Sequence, residues 1–279
     1  MKSFKPTTPS RRQMTVIPYK KLLTADKPEK SLTRGRKRFV GRNNQGRITT
    51  RHKGGGHKRV WREIDFTYNK IDIPATVTTI EYDPNRSGFI GVVSYADGEK
   101  RYHLLPGTAK AGDKFIVSEK ADVKPGNRLP LVKIPVGTFV YNVEIKPGSG
   151  AKLIRSAGTY AEVVSNDAGY TSLKMPSSEI RKIEEKAWAS IGEVSNPDYK
   201  LVNFGKAGRS RWKGIRPTVR GTAMNPVDHP YGGGEGVQGR GLRCAKSMWG
   251  KPTGGVKTRT PKKYSNNLIV SRRKVGKRK

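Results

Sequence analysis

Acidic residues are nearly missing from both ends of this 279-residue chain. Residues 1–60 hold 2 of them against 18 lysines and arginines, and residues 201–279 hold 2 against 20. The middle is balanced, with 10 basic and 10 acidic side chains in 61–130, then 9 and 8 in 131–200. The formal net charge of +35 therefore sits in two polycationic arms around a nearly neutral centre. Self-repulsion of that size is best tolerated when a polyanion neutralises it. Apolar residues are also scarce, at 33% of the chain, against the usual ~45–50% when glycine is counted with them. Much of the chain thus has no core of its own to enter. The single cysteine, Cys244, excludes an internal disulfide and any cysteine-rich zinc site, and makes the cytosol the natural compartment. No stretch approaches the ~18 apolar residues of a membrane span, and MKSFKPTTPSRRQM lacks the apolar run of a secretory signal. A mitochondrial presequence would also be basic and acid-poor. Here that character continues far beyond such a segment and returns at the other end, so a targeting address is the weaker reading.

Residues 1–59 show neither helical nor alternating periodicity, and RGRKRFVGRNNQGRITTRHKGGGHKR (34–59) is their most basic part. Such a segment cannot bury enough apolar surface to order itself alone, and is expected to fold onto a partner. From Val60 the texture changes. REIDFTY alternates as a half-buried strand, PATVTTIEY is β-branched and ends at DPNRSG, and GFIGVVSY leads into a hairpin at Asp97-Gly98. With DKFIVS these make five short strands, a small barrel. A second block follows PGNRLP. TFVYNVEI places Phe139, Tyr141, Val143 and Ile145 on one face, TYAEVVSNDAGYTSLKM reads as a hairpin, and EIRKIE and ASIGEV continue it. Strands at this spacing with Gly, Pro, Asn and Asp between them suggest a second small barrel. The expected architecture is all-β: a basic extension over 1–59, barrels over 60–127 and 128–197, and a glycine-rich basic extension over 198–279. In the last, a turn or two of helix fits YKLVNFGKAGRSRWKGI, and NLIVSRRK is an apolar patch before a basic tail.

Few motifs point to small-molecule chemistry. GEGVQG (234–239) matches the dinucleotide fingerprint, but no strand precedes it and no helix follows. The Gly-Lys pairs at 205, 250 and 276 lack the serine or threonine of a phosphate loop. His52 and His57 flank three glycines among basic residues, without the further ligands a metal needs. NPVDHPYGGGEG (225–236) puts His229 between Asp228 and Glu235, residue types suited to acid–base work. Yet a base needs a formed pocket, and no core is visible around it. Glycine permits close backbone approach, arginine pairs with phosphates and stacks on bases, and Trp212, Trp249, Tyr231 and Phe39 lie interspersed with them. This company suits a chain threading between RNA helices. Small barrels with charged loops favour irregular or single-stranded nucleic acid over major-groove reading.

GRITTRHKGGGHKR, EYDPNRS, KPGNRLP, IPVGT, IRSAGTYAEVV, GKAGRSRWKGIRPTVRGTAMNPVDHPYGGGEG and KPTGGVKTRT occur in this order. Across nearly the whole chain this resembles the universal large-subunit ribosomal protein family usually called "L two", in its bacterial form. The resemblance implies an OB-like barrel followed by an SH3-like barrel, with extensions buried in ribosomal RNA. It implies a primary rRNA-binding structural protein, not an enzyme, supporting subunit assembly and association, tRNA binding and the peptidyl transferase region. Its partners would be large-subunit rRNA, other ribosomal proteins and the small subunit, in the cytoplasm, with no membrane, no small-molecule substrate, and no cofactor beyond RNA-associated magnesium. By motif match Arg86 and Arg155 are RNA contacts of the barrels, and His229 is the loop histidine discussed in peptide-bond formation. The remaining RNA-binding candidates are Arg51, His52, Lys53, His57, Lys58, Arg59, Arg209, Arg211, Trp212, Lys213, Arg216, Arg220, Tyr231, Lys257 and Arg259. Two departures stand out: Tyr231 replaces a second histidine of the family's usual HPHGGGEG, and RGLRCAKSMWG (240–250) differs from the usual passage. Two rival readings remain, direct catalysis through His229 and a nonspecific nucleic-acid chaperone.

Overall fold

The computed structural model describes residues 1–236 and 239–273. The chain divides into two compact units, one made of 1–37, 58–206 and the segment from 267, the other of 38–57 and 207–266. The first unit opens with β1 (Lys2–Ser3), α1 (Pro9–Arg12), β2 (Thr15–Val16), α2 (Tyr19–Leu22) and β3 (Thr33–Gly35), the last paired with β4 (Val60–Arg62). Next comes an antiparallel sheet of β5 (Ala75–Glu81), β6 (Ile90–Tyr95), β7 (Lys100–Leu104) and β8 (Lys114–Phe115), in the order β7-β6-β5-β8. Strand β6 is apolar except for Ser94, because both of its faces are largely covered. Val93 and Tyr95 meet Ala75, Val77 and Phe89 on one side, while Ile90 and Val92 meet Tyr102, Leu32 and Ile64 on the other. Gly91 lets this happen: a Cβ there would lie 2.6 Å from the Thr79 carbonyl oxygen. The hairpin at Asp97-Gly98 forms as a three-residue loop, with Gly98 at φ +84° and its amide donating to the Tyr95 carbonyl at 2.9 Å.

REIDFTY is not the continuous strand its alternation suggests. Ile64 makes one parallel bridge to Tyr102, and then Asp65 Oδ1 accepts the amides of Thr67 (2.8 Å) and Tyr68 (3.1 Å). A side-chain acceptor has taken the place of the ladder, and Tyr68 turns to φ +54°. Val117 then bridges Arg128 in parallel and carries the chain toward the second sheet.

That sheet contains β9 (Arg128–Pro130), β10 (Phe139–Tyr141), β13 (Ala161–Asp167), β14 (Tyr170–Lys174), β15 (Ile180–Glu184), β16 (Trp188–Ile191) and β17 (Ile269–Ser271). Its order is β17-β15-β14-β13-β10-β16-β9, all antiparallel, with β11 (Val143–Glu144) and β12 (Ala151–Leu153) as a separate pair. Leu129, Leu131, Val140, Ala161, Val163, Leu173 and Ile191 are among the side chains filling its core. The β13–β14 hairpin closes through Ala168 (φ +51°) and Gly169 (φ +80°), the two positive angles a two-residue hairpin loop demands. The apolar patch NLIVSRRK supplies β17, which pairs with β15 through Ile180↔Ser271 and Arg181↔Ile269; the tail from residue 274 lies outside the described residues.

TFVYNVEI also departs from the expected single face. Phe139 is 45% exposed, whereas Val140 and Val143 are buried together. The break is at Asn142, whose φ of +49° interrupts the alternation between β10 and β11. A buried polar network holds it there. The Asn142 side-chain Nδ2 donates to Tyr68 Oη at 2.8 Å, and the Asn142 backbone carbonyl accepts from Arg128 Nη1 at 2.7 Å. Arg128, 1% exposed, also binds Glu144 Oε1 at 3.0 Å and lies 4.3 Å from the centre of the Tyr68 ring. Burial lowers the Arg128 pKa and raises that of Tyr141 beside it. The two sheets, each curled into a barrel-like form, are thus keyed together by polar groups as well as by Leu104, Tyr141 and Val194.

The first 37 residues pack on the barrel at several points. Met14 and Ile17 are buried, Tyr19 packs against Tyr82 with ring centroids 5.1 Å apart and planes tilted by 60°, and the Glu29 amide donates to Tyr102 Oη at 2.7 Å. Thr24 and Ile80 exchange two hydrogen bonds. Three or four widely spaced anchors suffice because the barrel supplies the surface, and so few show no periodicity in the sequence.

Candidate nucleic-acid interface

Two basic surfaces emerge, one in each unit. In the first unit, DPNRS and RSAGTY are turns of different strands that the fold brings together. Asp83 Oδ1 accepts the Asn85 amide at 2.8 Å, an Asx turn that fixes the loop after β5. The Ser87 hydroxyl then accepts the Ala157 amide at 3.0 Å, joining one motif to the other. Gly158 sits against Pro197, where a Cβ would approach the Pro197 Cα to 2.6 Å. The consequence is that Arg86 and Arg155 converge on one ring. Their guanidinium carbons lie 5.4 and 4.6 Å from the centre of Phe66. Arg86 is held by Asp83, Nε to Oδ2 at 2.6 Å, and Arg155 Nη1 donates to the Ala151 carbonyl at 3.4 Å. Together with Trp61, Asn85 and Lys152 they line an open groove of about 740 Å³. Arg36 lies over Trp61 at 4.5 Å. A groove walled by arginines and aromatic faces suits phosphates and unstacked bases together. Arg86 and Arg155 are among the candidates drawn from the sequence; Phe66, Trp61, Arg36 and Lys152 are not. Phe66 looked like a core position, and it does pack against Tyr68, Val117 and Ala151 while its ring also lines the groove. The alternating basic and aromatic residues of KRVWR (58–62) were the available signal for Trp61.

In the second unit, candidates more than 150 residues apart in sequence form one strap. Lys53 bridges Ile215, the Gly54 amide donates to the Gly214 carbonyl (3.0 Å), the His57 amide to Trp212 (2.8 Å), and the Arg216 amide to His52 (3.0 Å). This brings Arg51, His52, Lys53 and His57 beside Arg211, Trp212, Lys213 and Arg216. Arg209 and Arg211 lie on α3 (Ala207–Trp212), the helical turn expected there. The last glycine of the triplet therefore has an internal cause. A Cβ on Gly56 would stand 2.7 Å from the Gly214 amide nitrogen and 2.8 Å from the Trp212 carbonyl oxygen. The close approach is to the chain's own backbone. Trp212 and Trp249 expose 59% and 70% of their surface, and Arg51 lies 5.4 Å from the centre of the Trp249 ring, so planar apolar faces stand among cations where bases can stack.

The loop around His229 belongs to this unit. The Asn225 carbonyl accepts the amides of Asp228 (3.0 Å) and His229 (3.3 Å), and Gly233 donates back to Met224 (3.0 Å). A Cβ on Gly232 would lie 2.0 Å from the Asn225 oxygen, so glycine is obligatory there. The imidazole rests on Gly221, and its Nδ1 accepts the Tyr231 amide at 3.1 Å. A neutral imidazole has one acceptor nitrogen, and here a backbone N–H occupies it. The orienting partner of His229 is thus the backbone and not Asp228, and the arrangement presents an Nε2–H donor. That suits a contact with RNA better than proton abstraction. The GEGVQG motif ends in Val237 and Gln238, which lie outside the described residues, and Gly239.

The other candidates scatter. Arg220 and Lys257 are exposed, Lys58 is exposed and Arg59 half-buried in the first unit. Arg259 is tied internally, through Nε to Asn266 Oδ1 at 2.5 Å and Nη2 to Ser265 Oγ at 2.9 Å, so its first role is to close a loop. Among the described residues no helix is long and apolar enough to cross a membrane.

Comparison with known families accords with this geometry. Residues 29–118 match the model for the RNA-binding N-terminal domain of ribosomal proteins L2, and residues 124–250 match the model for their C-terminal domain. The first match contains β3–β8 with Trp61, Phe66 and Arg86, and the second contains Arg155, the strap residues 211–216 and the His229 loop. With an OB-like barrel, an SH3-like barrel and both matches in order over most of its length, the chain belongs to the ribosomal protein L2 family, a family of structural RNA-binding proteins of the ribosome.

Proposed function

We infer that this chain is a structural constituent of the large ribosomal subunit, of bacterial type, that binds large-subunit ribosomal RNA directly and early. In this reading the barrels position the RNA through the Arg86–Phe66–Arg155 groove, and the basic arms neutralise phosphate repulsion. The protein thereby supports subunit assembly, association with the small subunit, tRNA binding and the order of the peptidyl transferase region. It works in the cytoplasm among other ribosomal proteins, and any metal involved is magnesium that accompanies the RNA. The observation that carries the reading is the convergence of two arginines from separate turns on one ring at the rim of a groove. A nonspecific chaperone needs no such convergence, and a catalyst using His229 as base would need the nitrogen that the Tyr231 amide occupies.

The test is binding of the full chain to a large-subunit rRNA fragment and to unrelated RNA at moderate salt. Specific binding should exceed nonspecific binding, and Arg86→Ala and Arg155→Ala should remove most of that difference. Each lost phosphate contact should flatten the log–log salt slope by about 0.7–0.9. Loss of stacking alone should weaken binding by ~1–3 kcal/mol per base at unchanged slope. Equal affinity of the wild-type chain for both RNAs would sink the proposal.

A further inference from the structure

Tyr231 has more structural duties than a loop residue ordinarily carries. Its amide donates to His229 Nδ1 (3.1 Å), and its ring lies 4.9 Å from the imidazole, tilted by 42°. The guanidinium of Arg240 stands 5.5 Å from the centre of the same ring. Its hydroxyl accepts the backbone amide of Lys246, fifteen residues further on. That amide belongs to a small hairpin. Lys246 bridges Pro252, the Ser247 amide donates to the Lys251 carbonyl (2.8 Å), and Thr253 donates to Ala245 (2.6 Å). At its tip is Trp249, exposed and beside Arg51. One side chain therefore connects the His229 loop at its base to the Trp249 hairpin at its hydroxyl.

We propose that Tyr231 is a positioning residue that locks the His229 loop and the Trp249 hairpin into a single RNA-facing element. This rests on the reading that the second unit faces ribosomal RNA. The ligand chemistry is a polynucleotide backbone with unstacked bases: His229 presents an N–H donor, Trp249 a stacking face, and Arg240 and Arg51 the cations. Holding a donor and a stacking face at one separation before binding removes the ordering cost that two loose loops would meet on the RNA. Phenylalanine at 231 would keep the ring contacts with His229 and Arg240 and lose only the bond to Lys246. Alanine would lose all of them.

Cys244, exposed and the only cysteine, lies two residues from Lys246. An iron–EDTA group attached there would cleave nearby RNA by hydroxyl radicals and so map where the hairpin sits. In complexes of the full chain with large-subunit rRNA, the wild-type protein should give a few discrete cleavage sites. Tyr231→Phe should spread and weaken them, and Tyr231→Ala more so. In the RNA-free chain, amide exchange over residues 245–253 should quicken about fivefold in Tyr231→Phe, the worth of one ordinary hydrogen bond. Discrete sites identical in all three proteins, or unchanged exchange, would overturn the positioning role. Failure of the underlying reading looks different: the wild-type chain would bind rRNA yet yield no directed cleavage from Cys244 at all.

Discussion

Substituting alanine at Gly55 and, separately, at Gly56 separates two explanations of the triple glycine, since the two sites share a conformation and differ in surroundings. Gly55 has φ +59° and nothing within 4 Å of a would-be Cβ, whereas Gly56 has φ +83° and three backbone atoms of residues 212–214 between 2.7 and 2.9 Å. Alanine at 55 should therefore meet only the left-handed strain, about 1–2 kcal/mol. Alanine at 56 meets the same strain and must also push the strap apart. That movement removes the His57–Trp212 and Gly54–Gly214 hydrogen bonds, each worth about 1 kcal/mol net, for a sum near 3–4 kcal/mol. The assay is amide hydrogen exchange in the full chain without RNA, read over residues 51–57 and 212–216. Gly55→Ala should speed exchange about tenfold, and Gly56→Ala should do so by more than a hundredfold, since ~1.4 kcal/mol is a factor of ten. The barrels should be unaffected in both. Equal effects at the two sites, or normal exchange in Gly56→Ala with a defect only on RNA, would refute the argument that the chain's own backbone demands glycine here.

Three further outcomes follow from polar groups withdrawn from solvent. Glu144→Ala leaves the Arg128 guanidinium 1% exposed without its carboxylate and should lower unfolding stability by about 3–5 kcal/mol; a loss under ~1 kcal/mol in urea titration would show the pair to be dispensable. His103 is buried, its Nε2 2.9 Å from Tyr95 Oη, and burial pulls its pKa down to about 4. The unfolded chain then binds a proton near pH 6.5 that the folded chain refuses, so stability should be complete above pH 6.5 and decline as pH falls toward 4. The loss should total about 3 kcal/mol, and His103→Gln should flatten that part of the profile in denaturant titrations at stepped pH. Asp65 acts lower. Burial opposes its charge, but bonds from Thr67 and Arg101 prevail and hold its pKa at about 2, so its contribution fades only between pH 3.8 and 2.

Elements set by local rules were legible in the residues. The Asp97-Gly98 turn, the hairpin over 159–175, the β-branched run of β5 and the short helix α3 all depend on residues adjacent in sequence. Elements that break a local period were not. REIDFTY ends as a strand because the Asp65 side chain captures two amides, and TFVYNVEI changes face because Asn142 serves a network built by Tyr68 and Arg128. Alternation alone carries no mark of either. The site divides the same way. Arg86 and Arg155 were found by motif, but their convergence on Phe66 needs two turns to meet. Arg259 resembled its neighbours in the basic arm and proves to be engaged with Asn266 and Ser265.

By itself the sequence determined what kind of partner this protein takes. Thirty-eight basic residues in two acid-poor ends demand a polyanion whatever the fold, because long-range charge depends on composition more than on geometry. The run of short β-rich segments determined the class, since periodicity is a local property. Only the tertiary structure decided which residues act together: that Gly56 lies against Gly214, that two arginines share one phenylalanine ring, and that a backbone amide occupies the acceptor nitrogen of His229. Those contacts have ranges of a few ångströms, and which atoms come that close is settled by the packing of the whole chain.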